Sequence, residues 1–320
     1  MNRLLACCAV LAGLACPAEA QQYPAQTLRM IVAFPPGGGA DVAARIIAQP
    51  LAEGLGQSVV VENVSGAGGT IGTARAAQAA PDGYTLFVGT PSTHGTNPAV
   101  YPKLSYDPVR DFAPIGLIGA SPFLLVAAPS LKATSVAELL ALARAHPGEL
   151  DYASYGNGTI NHLVGELFSS MADIKVSHIP YRGGAPAMVD LLAGRVQYTF
   201  DSTAAFPQIR SGKVKLLGVT SERRWSVLPD VPTVAESGLP GFSAYTWYGL
   251  FAPAGTPAPI IDLLNRQLNA ALATPGATAG LAKLSLDSGG GAPDVLGKVV
   301  QSEIDKWADV ARRRNIRLDE

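Results

Sequence analysis

The sequence predicts an α/β protein of two domains, each a mainly parallel sheet flanked by helices, with a cleft between them. Three observations carry this. Short, near-continuously apolar runs rich in β-branched residues alternate with longer runs at helical spacing. Two turn-rich stretches, Gly116–Pro122 and Leu239–Ser243, break that alternation and mark places where the chain crosses between domains. The 320 residues include 34 glycines and 25 prolines, a richness that calls for many tight turns and close backbone approaches without reaching low complexity. With two crossings, residues 24–120 and 246–320 form one discontinuous domain and 121–245 the other, and a cleft between two domains is a favoured ligand site.

Along the chain, the first twenty residues read as a secretory leader. Arg3 supplies the positive start, Leu4–Ala15 the apolar stretch, and Ala18-Glu19-Ala20 a small-x-small cleavage site, so cleavage is expected after Ala20. The apolar stretch is too short to span a bilayer. Cys7, Cys8 and Cys16 all leave with this segment, which removes disulfides, thiol catalysis and cysteine metal sites from the remaining chain. A lipid anchor at Cys16 is disfavoured, because Gly13-Leu14-Ala15 lacks a branched apolar residue at its start. The expected location is the bacterial periplasm, where neither ATP nor NAD is a plausible cosubstrate.

Leu28–Phe34 is the first strand, and Gly37-Gly38-Gly39-Ala40 leads from it into the helix Asp41–Leu55, with Asp41 as N-cap and Gly54 and Gly56 as the stop. Strand Ser58–Asn63, helix Ile71–Ala80 and strand Thr85–Gly89 follow. The second domain opens with strand Phe123–Ala128 and the helix Val136–His146, capped by Thr134 or Ser135 and ended by Pro147-Gly148. It continues through strand Asp151–Ala153, helix Ile160–Ala172, strand Lys175–Ile179, helix Ala185–Ala193 and strands Val196–Asp201 and Lys213–Thr220. Tyr245–Ala252 returns to the first domain, followed by helices Pro259–Ala273 and Pro293–Asn315. Arg312, Arg313 and Arg314 suit the C-terminal dipole of the last.

Composition narrows the function. With 24 basic and 25 acidic residues the net charge is −1, which gives no electrostatic reason to expect nucleic acid or an anionic membrane as partner. At 48% apolar the chain is not disordered. No G-x-x-x-x-G-K-[ST] occurs, and Gly66-Ala67-Gly68-Gly69-Thr70-Ile71-Gly72 has its last glycine one residue too late for a dinucleotide fingerprint. G-x-S-x-G and H-E-x-x-H are absent. His94, His146, His162 and His178 form no pair at i, i+2 or i, i+4, so no metal is encoded locally and no cofactor is expected.

Two loops stand out. Phe34-Pro35-Pro36-Gly37-Gly38-Gly39-Ala40-Asp41 follows a strand and opens a helix, leaving backbone N–H groups free at the positive end of a helix dipole. Such a place suits a carboxylate or phosphate. Ser154-Tyr155-Gly156-Asn157-Gly158-Thr159 repeats the arrangement with hydroxyls added. If each domain turns the C-terminal ends of its strands to the cleft, both loops face one anion. The Gly89–Pro98 segment, which contains His94, can add neutral donors. His162 is expected to pack beneath the second loop. Arg182 either pairs with a distal ligand carboxylate or forms an exposed salt bridge, and Asp201, at a strand end, can reach the cleft as an acceptor.

With these residues in place, the sequence resembles the tripartite tricarboxylate transporter receptor family, also called the Bordetella uptake gene (Bug) receptors. The likeness rests on Pro35 through Asp41, Asn97-Pro98, Tyr101, Asp107-Pro108 and Asp111-Phe112-Ala113-Pro114-Ile115. It continues in Ser154 through Leu163, Pro180-Tyr181-Arg182-Gly183-Gly184, Leu228 through Thr233 and Gly249-Leu250-Phe251-Ala252-Pro253. The resemblance implies a periplasmic-binding-protein clamshell of type II-like form, holding a ligand carboxylate between the two glycine loops. Carried onto this chain, it assigns binding to Gly38, Gly39, Ala40, Asp41, Ser154, Gly156, Gly158 and Thr159, with Phe34, Thr90 and Thr93 lining the pocket. Tyr155 stands where relatives often carry a small residue. Its ring narrows the pocket, stacks on an aromatic acid, or points away into the domain.

The expectation is a non-enzymatic monomeric receptor that captures a small di-, tri- or aromatic carboxylate and delivers it to integral membrane transporter subunits. An exported hydrolase of a small ester or amide is the first alternative. A sensor presenting the same solute to a membrane signalling protein is the second.

Overall fold

Leu28–Val32 (β1), Val59–Asn63 (β2) and Thr85–Gly89 (β3) are apolar runs that pair in parallel, with β1 between the other two. Helices Gly39–Leu55 (α1) and Thr70–Ala77 (α2) supply the crossovers that parallel neighbours require. The computed structural model describes residues 23–318; the expected leader, its cleavage site and the three cysteines lie outside them. After a short helix, Asn97–Val100 (α3), the eleven-residue strand Phe112–Pro122 (β4) runs through Phe123 into Leu124–Ala127 (β5) of a second sheet.

That second sheet adds Asp151–Ser154 (β6), Ser177–Pro180 (β7), Tyr198–Asp201 (β8) and Lys215–Val219 (β9), in the order β7-β6-β8-β5-β9. Its helices are Val136–Ala145 (α4), Ile160–Ala172 (α5), Gly184–Leu192 (α6) and Phe206–Arg210 (α7). Tyr245–Pro253 (β10) then re-enters the first sheet. Helices Ala258–Leu272 (α8) and Pro275–Lys283 (α9), strand Asp287–Gly290 (β11) and helix Pro293–Arg314 (α10) follow. The first sheet has the order β11-β4-β10-β3-β1-β2.

Both sheets are mixed, which corrects the expectation of mainly parallel pairing. β10 runs against β3 and β4, β11 against β4, and β5 against β8 and β9. The reason is topological: in each sheet the strand that brings the chain in lies beside the one that carries it out, so the two run in opposite directions. Gly116–Pro122, expected as a turn-rich crossing, is the second part of β4. Its glycines serve close approach rather than turning: a side chain on Gly119 would come within 2.9 Å of the Asp287 carbonyl on β11.

Alternation along the first sheet builds two cores. Met30, Val32, Leu86 and Val88 face Ile47 and Leu51 of α1 and Leu264 and Leu268 of α8. Ile31 and Phe87 face the other way, onto Trp247, Phe251, Leu296 and Val300. The second sheet has its own core around Tyr152, Phe168, Tyr198 and Phe200, and this core takes in Trp307, Val310 and Ala311 of α10. At about 33 Å for its 22 residues, α10 therefore begins on one lobe and ends in the other. Arg312 and Arg313 both pair with Asp309 one turn back, whereas Arg314 reaches across to Glu166 of α5.

Candidate functional site

The loops after β1 and β6 open toward a cavity of about 500 Å³ between the lobes. The first lobe lines it with Phe34, Pro35, Pro36, Gly38, Gly39 and Ala40 and with Thr90, Pro91 and Ser92; the second contributes Tyr155, Ile160 and Gly183. The returning strand β10 supplies Thr246 and Tyr248.

In the first loop, Gly37 takes a left-handed conformation (φ 81°) that other residues resist. Asp41 lies inside the first turn of α1 rather than at its cap, and its carboxylate is turned inward. It accepts from the Gly37 amide at 2.9 Å, Arg45 Nε at 3.0 Å and Asn63 Nδ2 at 3.0 Å. The Arg45 hydrogen bond is the main reason that its pKa lies below the usual carboxylate value. Asp41 thus braces the loop from beneath. The N-cap is Gly38, with no side-chain bond to the helix. An uncapped first turn leaves amides without intrahelical partners, and Gly39 and Ala40, which begin that turn, line the cavity.

Thr90 lines the cavity, but Thr93 is fully buried behind it and accepts from the Thr90 amide at 3.0 Å. His94 faces the core, stacked on Phe251 with ring centres 4.2 Å apart. Burial lowers its pKa to about 3.

The second loop is held from below by two imidazoles. Gly158 donates its N–H to His162 Nδ1 at 3.1 Å, and Gly156 donates to Ser154 Oγ at 3.2 Å. Ser154 Oγ is in turn 2.6 Å from His178 Nε2. The His162 and His178 rings stack 3.9 Å apart and 7° from parallel. Thr159 donates its hydroxyl to the Gly156 carbonyl at 2.7 Å. The loop amides singled out by sequence are thus engaged internally. What this loop brings to the cavity is Tyr155 and the uncapped start of α5 at Ile160.

The two readings of Tyr155 combine. Its ring lines the cavity while its hydroxyl donates to Asp201, which lies behind it and also accepts from the Ser202 amide at 2.6 Å. Burial raises the Asp201 pKa. Arg182 is exposed and outside the cavity lining; its neighbour Gly183 lines it instead.

Thr246 and Tyr248 were not singled out from sequence. The signal available was the alternation of β10, which turns both to one face. Tyr248 stands against Gly39, where an added side chain would overlap its hydroxyl. Beyond it lies a second chamber of about 280 Å³ whose lining includes Ser121, Ser202, Thr203 and Lys283. Thr203 donates to the Leu284 carbonyl at 2.9 Å, joining the lobes at this chamber.

The imidazoles give a pH prediction. Burial, then the neighbouring His162, lowers the His178 pKa to about 4, so the folded protein keeps it neutral while the unfolded chain protonates near the ordinary value of 6.5. The unfolded state then binds more protons between those values, and stability falls as pH drops from about 6.5 toward 4. Urea midpoints at pH 7 and pH 5 should show the loss, and His178→Gln should shrink it.

Among the described residues no group of three or more His, Cys, Asp or Glu is placed to hold a metal, and no helix is long and apolar enough to cross a membrane. A profile described as tripartite tricarboxylate transporter family receptor matches residues 43–316. The chain is 40% identical over 323 residues to protein BugT of Bordetella pertussis, covering 99% of each. It is similar to an R. palustris protein solved with adipate, at 39% identity and a TM-score of 0.81, over 92% of this chain and 100% of that one. MatC of Rhodopseudomonas palustris with bound malate shows 38% identity and a TM-score of 0.76, over 90% and 99%.

Proposed function

The chain belongs to the tripartite tricarboxylate transporter receptor family, and on that premise we propose that it is a periplasmic receptor for a small carboxylate. The observation that carries the reading is the uncapped first turn of α1, with Gly39 and Ala40 on the wall of an interlobe cavity. Amides at the positive end of a helix satisfy a carboxylate without a counter-cation. Relatives solved with adipate and malate support the ligand class.

Binding favours the conformation in which both lobes contact the ligand, and that conformation docks on the membrane subunits of a tripartite-type transporter; the mechanism is a population shift. Delivery to a permease follows the family, whereas a sensory partner would use the same cleft. A hydrolase reading has less support. The hydroxyls lining the cavity belong to Thr90, Ser92, Tyr155, Thr246 and Tyr248; no histidine lines it, and burial, together with the Asp201 carboxylate behind Tyr155, raises the pKa of that phenol rather than freeing a nucleophile.

The test is a thermal-shift screen of ligand-stripped protein against mono-, di-, tri- and aromatic carboxylates. A ligand at about 1,000 times its Kd stabilises the folded state by about 4 kcal/mol, a rise of several degrees in Tm. Flat curves across the whole series would overturn the receptor reading.

A further inference from the structure

We propose that Tyr155 is a specificity-determining residue of the cleft, its ring setting how long an acid the cavity admits, and that Asp201 is a positioning residue that holds the ring there. This rests on the receptor reading above and deepens it at the same site. The second lobe lines the cavity with Tyr155, Ile160 and Gly183. Gly183 has no side chain and Ile160 is buried, so the phenol ring is the main side-chain surface that this lobe presents to a ligand.

The ring is held at two places. Tyr155 follows β6, and its hydroxyl donates to Asp201, the last residue of β8. β6 and β8 are parallel neighbours, so the side chain lies across the C-terminal ends of both and closes the space above them. Asp201 is buried and receives the Ser202 amide as well, so the acceptor cannot follow the ring outward. The second constraint comes from α6. A side chain on its first residue, Gly184, would come within 3.0 Å of the Tyr155 ring atom Cζ. Gly184 does not take a left-handed conformation, so the turn does not call for a glycine there; the ring does. An acid that outgrows the space must push the ring aside, which breaks its hydrogen bond and leaves a buried carboxylate short of a donor.

Isothermal titration of the ligand-stripped protein tests this with two series: butanoate, hexanoate and octanoate, and succinate, adipate and suberate. Within each series the charge is constant and the length changes, so the affinity ratio of octanoate to hexanoate, or of suberate to adipate, reads space alone. A methylene that finds an apolar place gains about four-fold in affinity. Tyr155→Ala should therefore raise the ratio at least ten-fold over the wild-type value, for two methylenes, in at least one series. Asp201→Ala should raise it by less, and Asp201→Asn, whose amide oxygen still accepts from the phenol, should leave it unchanged. A purely structural role would lower both affinities together and leave every ratio where it was. If Tyr155→Ala does not fold with Asp201 stranded, the Tyr155→Ala/Asp201→Asn double variant makes the same comparison. A rise below ten-fold overturns the inference while the receptor reading stands, and so does a failure of both series to bind when another carboxylate shifts the melt. A wild-type ratio in Asp201→Ala overturns the positioning role. If no carboxylate of any class binds, the receptor reading falls, and this inference with it.

Discussion

Gly39→Asp is expected to weaken carboxylate binding by at least 100-fold, about 2.7 kcal/mol, with a smaller loss of ligand-free stability, about 1 kcal/mol, from crowding Tyr248. Gly39 opens α1, so the change carries little backbone strain, and an acidic side chain in a first helical turn suits the dipole. Its charge would stand where the ligand's carboxylate is to sit, and its Cβ would force the Tyr248 hydroxyl aside. Thermal melts with and without ligand separate the two effects. The ligand-free Tm should fall by a few degrees at most, and the ligand-induced shift should vanish. A retained shift would remove the α1 amides from the site.

Arg314→Ala is expected to cost about 2–4 kcal/mol of stability, whereas Arg312→Ala should stay within about 0.5 kcal/mol. Three adjacent arginines close the same helix, yet only Arg314 partners a buried group. Glu166 is 7% exposed, receives the Tyr152 hydroxyl at 2.6 Å, and loses its guanidinium partner in the variant. Urea unfolding of both variants makes the comparison. Adding Glu166→Gln to Arg314→Ala should recover part of the loss, because the buried carboxyl left without its arginine is then replaced by an amide. Equal effects at Arg312 and Arg314 would assign the cluster to the helix dipole alone.

Much of this is legible in the sequence, for reasons that differ residue by residue. The Gly37–Asp41 loop is legible because its meaning is local: strand, glycines and helix start adjoin in sequence. The spacing of Asp41 also fits a cap, and its turn inward depends on Asn63 and Arg45. At the second loop, sequence shows which amides exist but not who accepts from them. His178 lies 24 residues from Ser154, and only the fold brings it there. Tyr248 was missed because a residue on a crossing strand shows its face only once the two lobes are placed. β11 was missed because Asp287–Gly290 carries no apolar pattern and is a strand by pairing with β4 alone.

The last helix has a consequence for biosynthesis. Sequence grouped Pro293–Asn315 with the first domain, but Trp307, Val310, Ala311 and Ile316 fill the core of the second sheet, and the Leu318 amide donates to the Val100 carbonyl. A fragment of residues 121–245 would lack that filling, so it should not fold in isolation. The nascent chain meets the same constraint. Until residues near 307–316 have emerged, the second core lacks these side chains. The second core can therefore be completed only when nearly all of the described chain has been made.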